Sequence, residues 1–275
     1  MPDRKQAERI RRTAEEAVAL LGTGRQVTPL SVRFPDFDLA EAYAVAAKVC
    51  DLQKTRGEMP VGRKIGFTNR AAWSGYGISA PIWGYMFEST VHHLAANRGT
   101  FSLAGLPEPR IEPEVALHLA CEPHAGMSEA ELIGCIDWVA HGFEVVHSVF
   151  PRWQFTAADA VAACGVHSAL LLGDKHDISG ARAEWADALS SFDVELVRND
   201  GLTRLGRAAN VLGGPLEALC FLVQELARYP ASQPLGAGEI VTTGTLTEAM
   251  PAVAGQTWST QLRGIEIEGV QLSLQ

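Results

Sequence analysis

Two glutamates separated by one residue are the part of the sequence best suited to chemistry. Glu112 and Glu114 lie in the segment PRIEPEVAL (109–117), and in an extended strand residues two apart project to the same side. Pro113 cannot donate a backbone hydrogen bond, which predicts that the segment lies at an edge or rim of a sheet. Adjacent carboxylates repel unless a cation or proton separates them, and hard cations bind such oxygens. The spacing therefore permits a metal site, although a solvated glutamate pair is its commoner meaning.

Two other charged residues stand among apolar or small ones. Glu144 is flanked by Phe143 and Val145, so it should have a partner, either a metal or an arginine, because an unpaired buried charge is expensive. Lys64 lies between two glycines in GRKIGFTN (62–69), where confinement can suit a lysine to proton transfer. A surface lysine beside a turn is the ordinary alternative for Lys64.

The elements that must position these residues are helices and short strands. Apolar residues at helical spacing predict helices over 3–22, from Asp38 to about residue 55, over 128–142, and from Pro215. Alternating patterns predict strands near 192–196 and 239–243. Because the strands do not alternate regularly with helices, we expect an α+β fold on a curved antiparallel or mixed sheet.

Composition limits the partners of the chain. Of 275 residues, 47% are apolar and 20% charged, the formal net charge is -9, and the basic residues are scattered, which argues against nucleic acid or an anionic membrane as partner. No apolar run approaches membrane-spanning length. Five widely spaced cysteines and a charged start, without a signal core, predict a protein of the reducing cytoplasm.

Several motifs, taken together and in order, resemble those of one known family. They are GRKIGFT (62–68), GISAP (77–81) with Gly84, PRIEPE (109–114), Glu144, GGPLEA (213–218) and LGAGEIVTTGTL (235–246). The chain thereby resembles the 2-oxopent-4-enoate hydratase and 4-oxalocrotonate decarboxylase group of the fumarylacetoacetate hydrolase superfamily. The likeness covers nearly all of the chain from residue 61.

The resemblance implies a mixed β-sandwich or roll with flanking helices. It divides the chain into a helical N-terminal layer (1–60) and a catalytic unit (61–275). It implies that Glu112, Glu114 and Glu144 bind one Mg²⁺ or Mn²⁺, and that Lys64 is an acid/base residue beside a small 2-oxo acid. We also expect a homo-oligomer.

The sequence departs from the family pattern around the substrate. His147-Ser148 replaces an Asp-Ser pair, Ala163-Cys164 replaces Asp-Asn, and Ile82 replaces an Asp. Ile82, Ala163 and Cys164 make the wall more apolar, and an apolar wall cannot satisfy a second substrate carboxylate, so these three changes predict a preference for monocarboxylic 2-oxo-enoates.

Two further residues are candidates for substrate binding. His167 could carry a proton near neutral pH, and Thr245 could bind a carboxylate through its hydroxyl. A structural histidine and a turn-forming threonine are the corresponding alternatives.

The leading hypothesis is a lyase that hydrates a 2-hydroxy-2,4-dienoate, or its 2-oxo-enoate tautomer, to a 4-hydroxy-2-oxo acid. A bound metal would stabilise charge developing on the 2-oxygen. The alternatives are decarboxylation of a 2-oxo-3-enedioate, hydrolysis of a C–C bond, and a binding protein without turnover.

Overall fold

The computed structural model describes residues 4–229 and 232–275. Its α-helices are α1 (Arg4–Leu20), α2 (Leu30–Arg33), α3 (Leu39–Thr55), α4 (Trp73–Tyr76), α5 (Glu129–Leu132), α6 (Ala157–Ala162), α7 (Arg182–Ser191) and α8 (Pro215–Arg228). Its strands are β1 (Pro60–Gly66), β2 (Ile82–Phe87), β3 (Val91–His93), β4 (Arg98–Phe101), β5 (Arg110–Leu119), β6 (Ile136–Val146), β7 (His167–Asp177), β8 (Asp193–Arg198), β9 (Thr203–Arg207), β10 (Ile240–Thr242), β11 (Met250–Pro251), β12 (Thr257–Arg263) and β13 (Gln271–Leu274).

The strands form two sheets of mixed direction. The larger sheet has the order β2-β1-β10-β5-β6-β7-β3, with β11 paired to β5, and the smaller has the order β4-β13-β12-β8-β9. Most neighbours are antiparallel, while β1 with β10, β3 with β7, and β4 with β13 are parallel. This arrangement confirms the predicted α+β class with a mixed sheet.

The hydrophobic core has two main parts. Phe143 and Leu171 of the larger sheet pack with Trp258 and Leu272 of the smaller sheet, so the two sheets lie face to face. A second cluster joins side chains of α1, α3, α6 and α8 to β1, β2 and β5. The expected sandwich with flanking helices is therefore present. The division of the chain at residue 60 stays a prediction.

Three predicted helices are found close to their expected positions. They are α1, α3 and α8, and Pro215 is the first residue of α8, where its missing N–H leaves no helical hydrogen bond unmade. The carboxylate of Asp38 accepts a hydrogen bond from the backbone N–H of Glu41, which caps α3. Helical periodicity and capping signals were sufficient here.

The helix predicted over 128–142 is wrong beyond its first turn. α5 is followed by one 3₁₀ turn, Ile133–Cys135, and β6 begins at Ile136. Leu132, Ile136 and Val139 match a helical stripe, but β6 is a central strand between β5 and β7 and is buried on both faces. Such a strand has no polar alternation, so its apolar residues can imitate a helix.

The expected edge position of Pro113 is also wrong, because β5 lies in the middle of the larger sheet. On one side β5 pairs with β6 throughout, and on the other side β10 pairs with residues 116–118 and β11 with residues 110–111. Pro113 lies at the interruption between β10 and β11, where its carbonyl accepts from the N–H of Leu246. A proline is tolerated there because no strand requires its N–H.

No helix in residues 4–229 or 232–275 is long and apolar enough to cross a membrane.

The contact of β1 with β10 generates a stability prediction. A Cβ added at Gly62 would lie 1.9 Å from the carbonyl oxygen of Ile240 in β10. We expect Gly62→Ala to lower the free energy of unfolding by about 1–3 kcal/mol, the usual effect of overpacking, as measured by urea denaturation. Gly134→Ala is the matched control, since nothing lies within 4 Å of its added Cβ. Equal free energies of unfolding for the two variants would contradict the close contact between Gly62 and the backbone of Ile240.

Candidate metal and substrate site

The three predicted metal ligands meet at one place on neighbouring strands. Glu112 in β5 is paired directly with Glu144 in β6, and Glu114 lies two residues along β5 on the same face. One oxygen from each carboxylate can be chosen so that all three atoms lie within 4.8 Å of one another. The placement of Glu144 after a helix was wrong, because it lies within a strand, yet the predicted set itself is brought together.

Burial and like charge oppose ionisation of this cluster. Burial raises the pKa of Glu112 to about 7, with Glu144 adding to the increase and Lys64 opposing it. The pKa of Glu114 is raised well above its usual range by burial and by the other two carboxylates. A cation among these groups would remove the repulsion.

Several contacts hold the carboxylates in place. Glu114 Oε2 accepts a hydrogen bond of 2.9 Å from the N–H of Gly244, and Glu144 Oε1 lies 2.8 Å from Nδ1 of His167. Nζ of Lys64 is 3.2 Å from Glu144 Oε2. Burial would raise the pKa of Glu144, but Lys64 and His167 outweigh it and lower that pKa.

Two buried oxygens of the cluster have no hydrogen-bond partner among the described residues, Glu114 Oε1 and Glu144 Oε2, although Glu144 Oε2 lies in the ion pair with Lys64. Glu114 Oε1 makes no hydrogen bond with any residue the structure describes. An unpaired buried carboxylate oxygen is costly, and hard divalent cations prefer oxygen ligands with room for water or substrate. The donor set therefore fits Mg²⁺ or Mn²⁺.

Lys64 is confined by close backbone. It is buried in β1, and a Cβ at Gly165 would lie 2.9 Å from its Cδ. Across from Lys64 in β2, Gly84 has no room for a side chain either, because its Cβ would lie 2.6 Å from the carbonyl oxygen of Cys164. Burial alone would lower the pKa of Lys64, but the three carboxylates outweigh it and raise that pKa.

A cavity of about 650 Å³ opens onto the cluster. Lys64, Glu112 and Thr245 line it, and Oγ1 of Thr245 is buried without a hydrogen-bond partner among the described residues. Aromatic and aliphatic side chains form much of the wall: Phe67, Tyr76, Ile82, Trp153, Phe155 and Leu212. A small polar ligand with an apolar chain suits these surroundings.

His167 does not line this cavity, in contrast to its expected role in substrate binding. Its ring lies between Glu144 and Thr90, with Nε2 2.9 Å from Oγ1 of Thr90. His147 is also remote, because it borders two smaller cavities, and burial lowers its pKa to about 4. The contact of His167 with a predicted metal ligand was visible only in three dimensions.

Two of the three residues behind the apolar-wall prediction lie elsewhere. Ile82 lines the main cavity, whereas Ala163 and Cys164 border the smaller cavities. The sequence interpretation also missed Arg110, which lines the main cavity. Its position two residues before Glu112, on the same face of β5, was the available signal.

No family model matches the sequence. A 2-keto-4-pentenoate hydratase of Burkholderia vietnamiensis is 30% identical over 251 residues, which cover 88% of this chain and 89% of the relative. A 2-hydroxyhexa-2,4-dienoate hydratase of Comamonas testosteroni is 26% identical over 257 residues, which cover 92% and 93%.

Among solved structures, a 4-oxalocrotonate decarboxylase from Pseudomonas putida G7, complexed with magnesium and adipate, has a TM-score of 0.88 at 24% identity. The alignment covers 98% of each chain, and this likeness concerns the fold. On the strength of the sequence relatives, the chain belongs to the 2-keto-4-pentenoate hydratase family.

Proposed function

We propose that this protein is a metal-dependent hydro-lyase that adds water to a 2-hydroxy-2,4-dienoate, or its 2-oxo-enoate tautomer, and forms a 4-hydroxy-2-oxo acid. The observation that carries the proposal is a cluster of three carboxylates beside Lys64, which meets a cavity of about 650 Å³ through Glu112 and Lys64 on the cavity wall. Membership in the family supports the same reaction class.

The roles of the residues follow from their positions. Glu112, Glu114 and Glu144 would hold Mg²⁺ or Mn²⁺. The bound metal supplies positive charge that orients the substrate carboxylate and 2-oxygen and draws electron density toward that oxygen. Lys64 exchanges the proton that interconverts the tautomers, because its ammonium group reaches the same cavity. The unpaired hydroxyl of Thr245 donates to the substrate carboxylate.

Product analysis separates hydration from its alternatives. With Mg²⁺ or Mn²⁺, the protein should convert 2-hydroxypenta-2,4-dienoate to 4-hydroxy-2-oxopentanoate, detected by loss of diene absorbance and by NMR. Release of CO₂ from a 2-hydroxydienedioate without hydration would assign a decarboxylase. C–C cleavage of an acylpyruvate would assign a hydrolase, and metal-dependent ligand binding without turnover a binding protein.

We also propose a cellular compartment and an oligomeric state for the enzyme. All five cysteines are free, which fits a reducing cytoplasm. The expected homo-oligomer stays a prediction.

A first prediction concerns the metal ligands. Glu114→Gln keeps the side-chain shape and removes a charge, so Mn²⁺ or Mg²⁺ affinity should fall by more than ~100-fold, beyond the usual effect of losing an outer partner. Isothermal titration calorimetry on chelator-treated protein measures this. The metal-free variant should be no less stable than the parent, since burial already disfavours this charge. Glu184→Gln, in an exposed position on α7, is the control. Unchanged affinity in Glu114→Gln would show that the ligand set is wrong.

A second prediction concerns proton transfer. Lys64→Gln should lower kcat by ~10²–10⁴-fold, because it removes the proton carrier. The protein should keep its fold and still bind metal, because all three glutamates remain. Circular dichroism and metal titration accompany the assay, and Lys54→Gln on the exposed face of α3 serves as the control. A kcat equal to that of the parent rules out this role.

A third prediction gives His167 a positioning role. Its Nδ1 contacts Glu144 and its Nε2 contacts Thr90, so the ring fixes the orientation of the carboxylate. We expect His167→Ala to weaken Mn²⁺ binding by ~10–100-fold, the range for outer partners of metal ligands. His167→Asn should recover part of the affinity, since its amide can donate at about the place of Nδ1. His124→Ala, in an exposed loop, is the control. If His167→Ala binds Mn²⁺ like the parent, the positioning role is excluded.

A further inference from the structure

Arg110 is a cation on the cavity wall that the proposed reaction does not use. It is the first residue of β5, half-buried, and shares a strand face with Glu112 and Glu114. Its guanidinium carries five N–H donors. None of them has a hydrogen-bond or ion-pair partner in residues 4–229 or 232–275.

Outside the glutamate cluster and Lys64, the other charged residues of the wall already have partners. Arg70 donates to Glu217 at 2.9 Å, and its side chain is 53% exposed. Glu248 accepts from Arg204 at 2.7 Å on the opposite side. Arg110 is therefore the arginine that remains available to a ligand among the described residues of the wall.

The position of Arg110 is fixed by an aromatic platform. Its guanidinium carbon lies 4.2 Å from the centre of the Trp153 ring, a distance typical of a cation–π contact. The contact holds the guanidinium without using its N–H groups, and Glu112 is not within ion-pair distance of it. Arg110 thus forms no ion pair with the neighbouring carboxylates, although its charge opposes the rise in the pKa of Glu112.

The backbone around Trp153 has an unfavourable conformation, with positive φ values at three residues. Arg152 and Trp153 have φ values of 59° and 56°, and Glu108 opposite them has a φ of 47°. Nε1 of Trp153 donates to the carbonyl of Glu108 at 3.0 Å, and the N–H of Arg152 donates to Glu108 Oε1 at 2.8 Å. Strained residues held by specific hydrogen bonds are characteristic of ligand-binding positions.

We propose that Arg110, held on Trp153, binds a second carboxylate of the substrate, so that the site accepts dicarboxylic 2-oxo-enoic acids in preference to monocarboxylic ones. This inference rests on the proposed function, in which the glutamate cluster and Lys64 receive the 1-carboxylate and 2-oxygen. The apolar wall then encloses the carbon chain, and the guanidinium receives the far carboxylate in a charge-assisted, bidentate pair. The proposal reverses the monocarboxylate preference predicted from Ile82, Ala163 and Cys164, two of which do not line this cavity.

The test compares acids that differ only in the far carboxylate. With Mg²⁺ present, calorimetry measures the Kd of 2-oxoadipate against 2-oxohexanoate, and of 2-oxoheptanedioate against 2-oxoheptanoate. The parent should bind at least one dicarboxylate about tenfold or more tightly than its partner, as expected for a charged hydrogen bond. Arg110→Gln should abolish this preference and leave the monocarboxylate Kd unchanged. Arg70→Gln should retain the preference.

Each other outcome overturns the proposal in a recognisable way. The far-carboxylate role is wrong if the parent shows no preference or if the preference persists in Arg110→Gln. Equal weakening of both acids in Arg110→Gln would place Arg110 at the 1-carboxylate, and loss of preference in Arg70→Gln would transfer the role to Arg70. If the parent binds none of the four acids, the proposed function is itself wrong, and this inference fails with it.

Discussion

Repulsion among Glu112, Glu114 and Glu144 is the constraint around which the site is organised. At separations within 4.8 Å, each pair of ionised carboxylates would repel by roughly 3 kcal/mol or more at an effective dielectric constant of about 20, which is why the pKa values of Glu112 and Glu114 are raised in addition to the effect of burial. Lys64, His167 and the N–H of Gly244 offset part of this repulsion. Glu114 Oε1 nevertheless has no hydrogen-bond partner among the described residues. The fold therefore positions the three carboxylates but does not by itself neutralise their charge. A divalent cation both relieves the repulsion and provides the charge that the proposed chemistry requires.

The sheet makes such a costly cluster possible. Antiparallel pairing of two central strands fixes Glu112 opposite Glu144, and hydrophobic packing on both faces keeps these strands from separating. β1 brings Lys64 to the same point, where glycines at 84 and 165 allow the backbone of two neighbouring segments to surround it. The packing energy of the core thus offsets the unfavourable electrostatic energy of the clustered carboxylates. Functional sites in proteins are commonly stabilised in this way by the structure around them.

The departures from the family pattern have different consequences according to where the fold places them. Ile82 changes the wall of the cavity, whereas Ala163 and Cys164 lie outside it. His147, a third departure, also borders the smaller cavities. The arginine on the cavity wall without an ion-pair partner among the described residues is Arg110. It lies in the PRIEPE segment (109–114), which follows the family pattern. In the proposed site, substrate specificity and metal affinity are therefore assigned to different residues.

The sequence by itself determined the α+β class and three helices, and it singled out Glu112, Glu114, Glu144 and Lys64, which the fold brings together. Periodicity and capping are local, and the motif order carried the resemblance, so both could be recognised without a fold. Tertiary structure decided that residues 136–146 form a strand, because burial on both faces removes the alternation that identifies one. It also decided that Pro113 lies inside a sheet, that His167 contacts Glu144, and that Arg110 remains unpaired on Trp153. These are contacts between residues distant in the chain, and spacing along the sequence does not encode them.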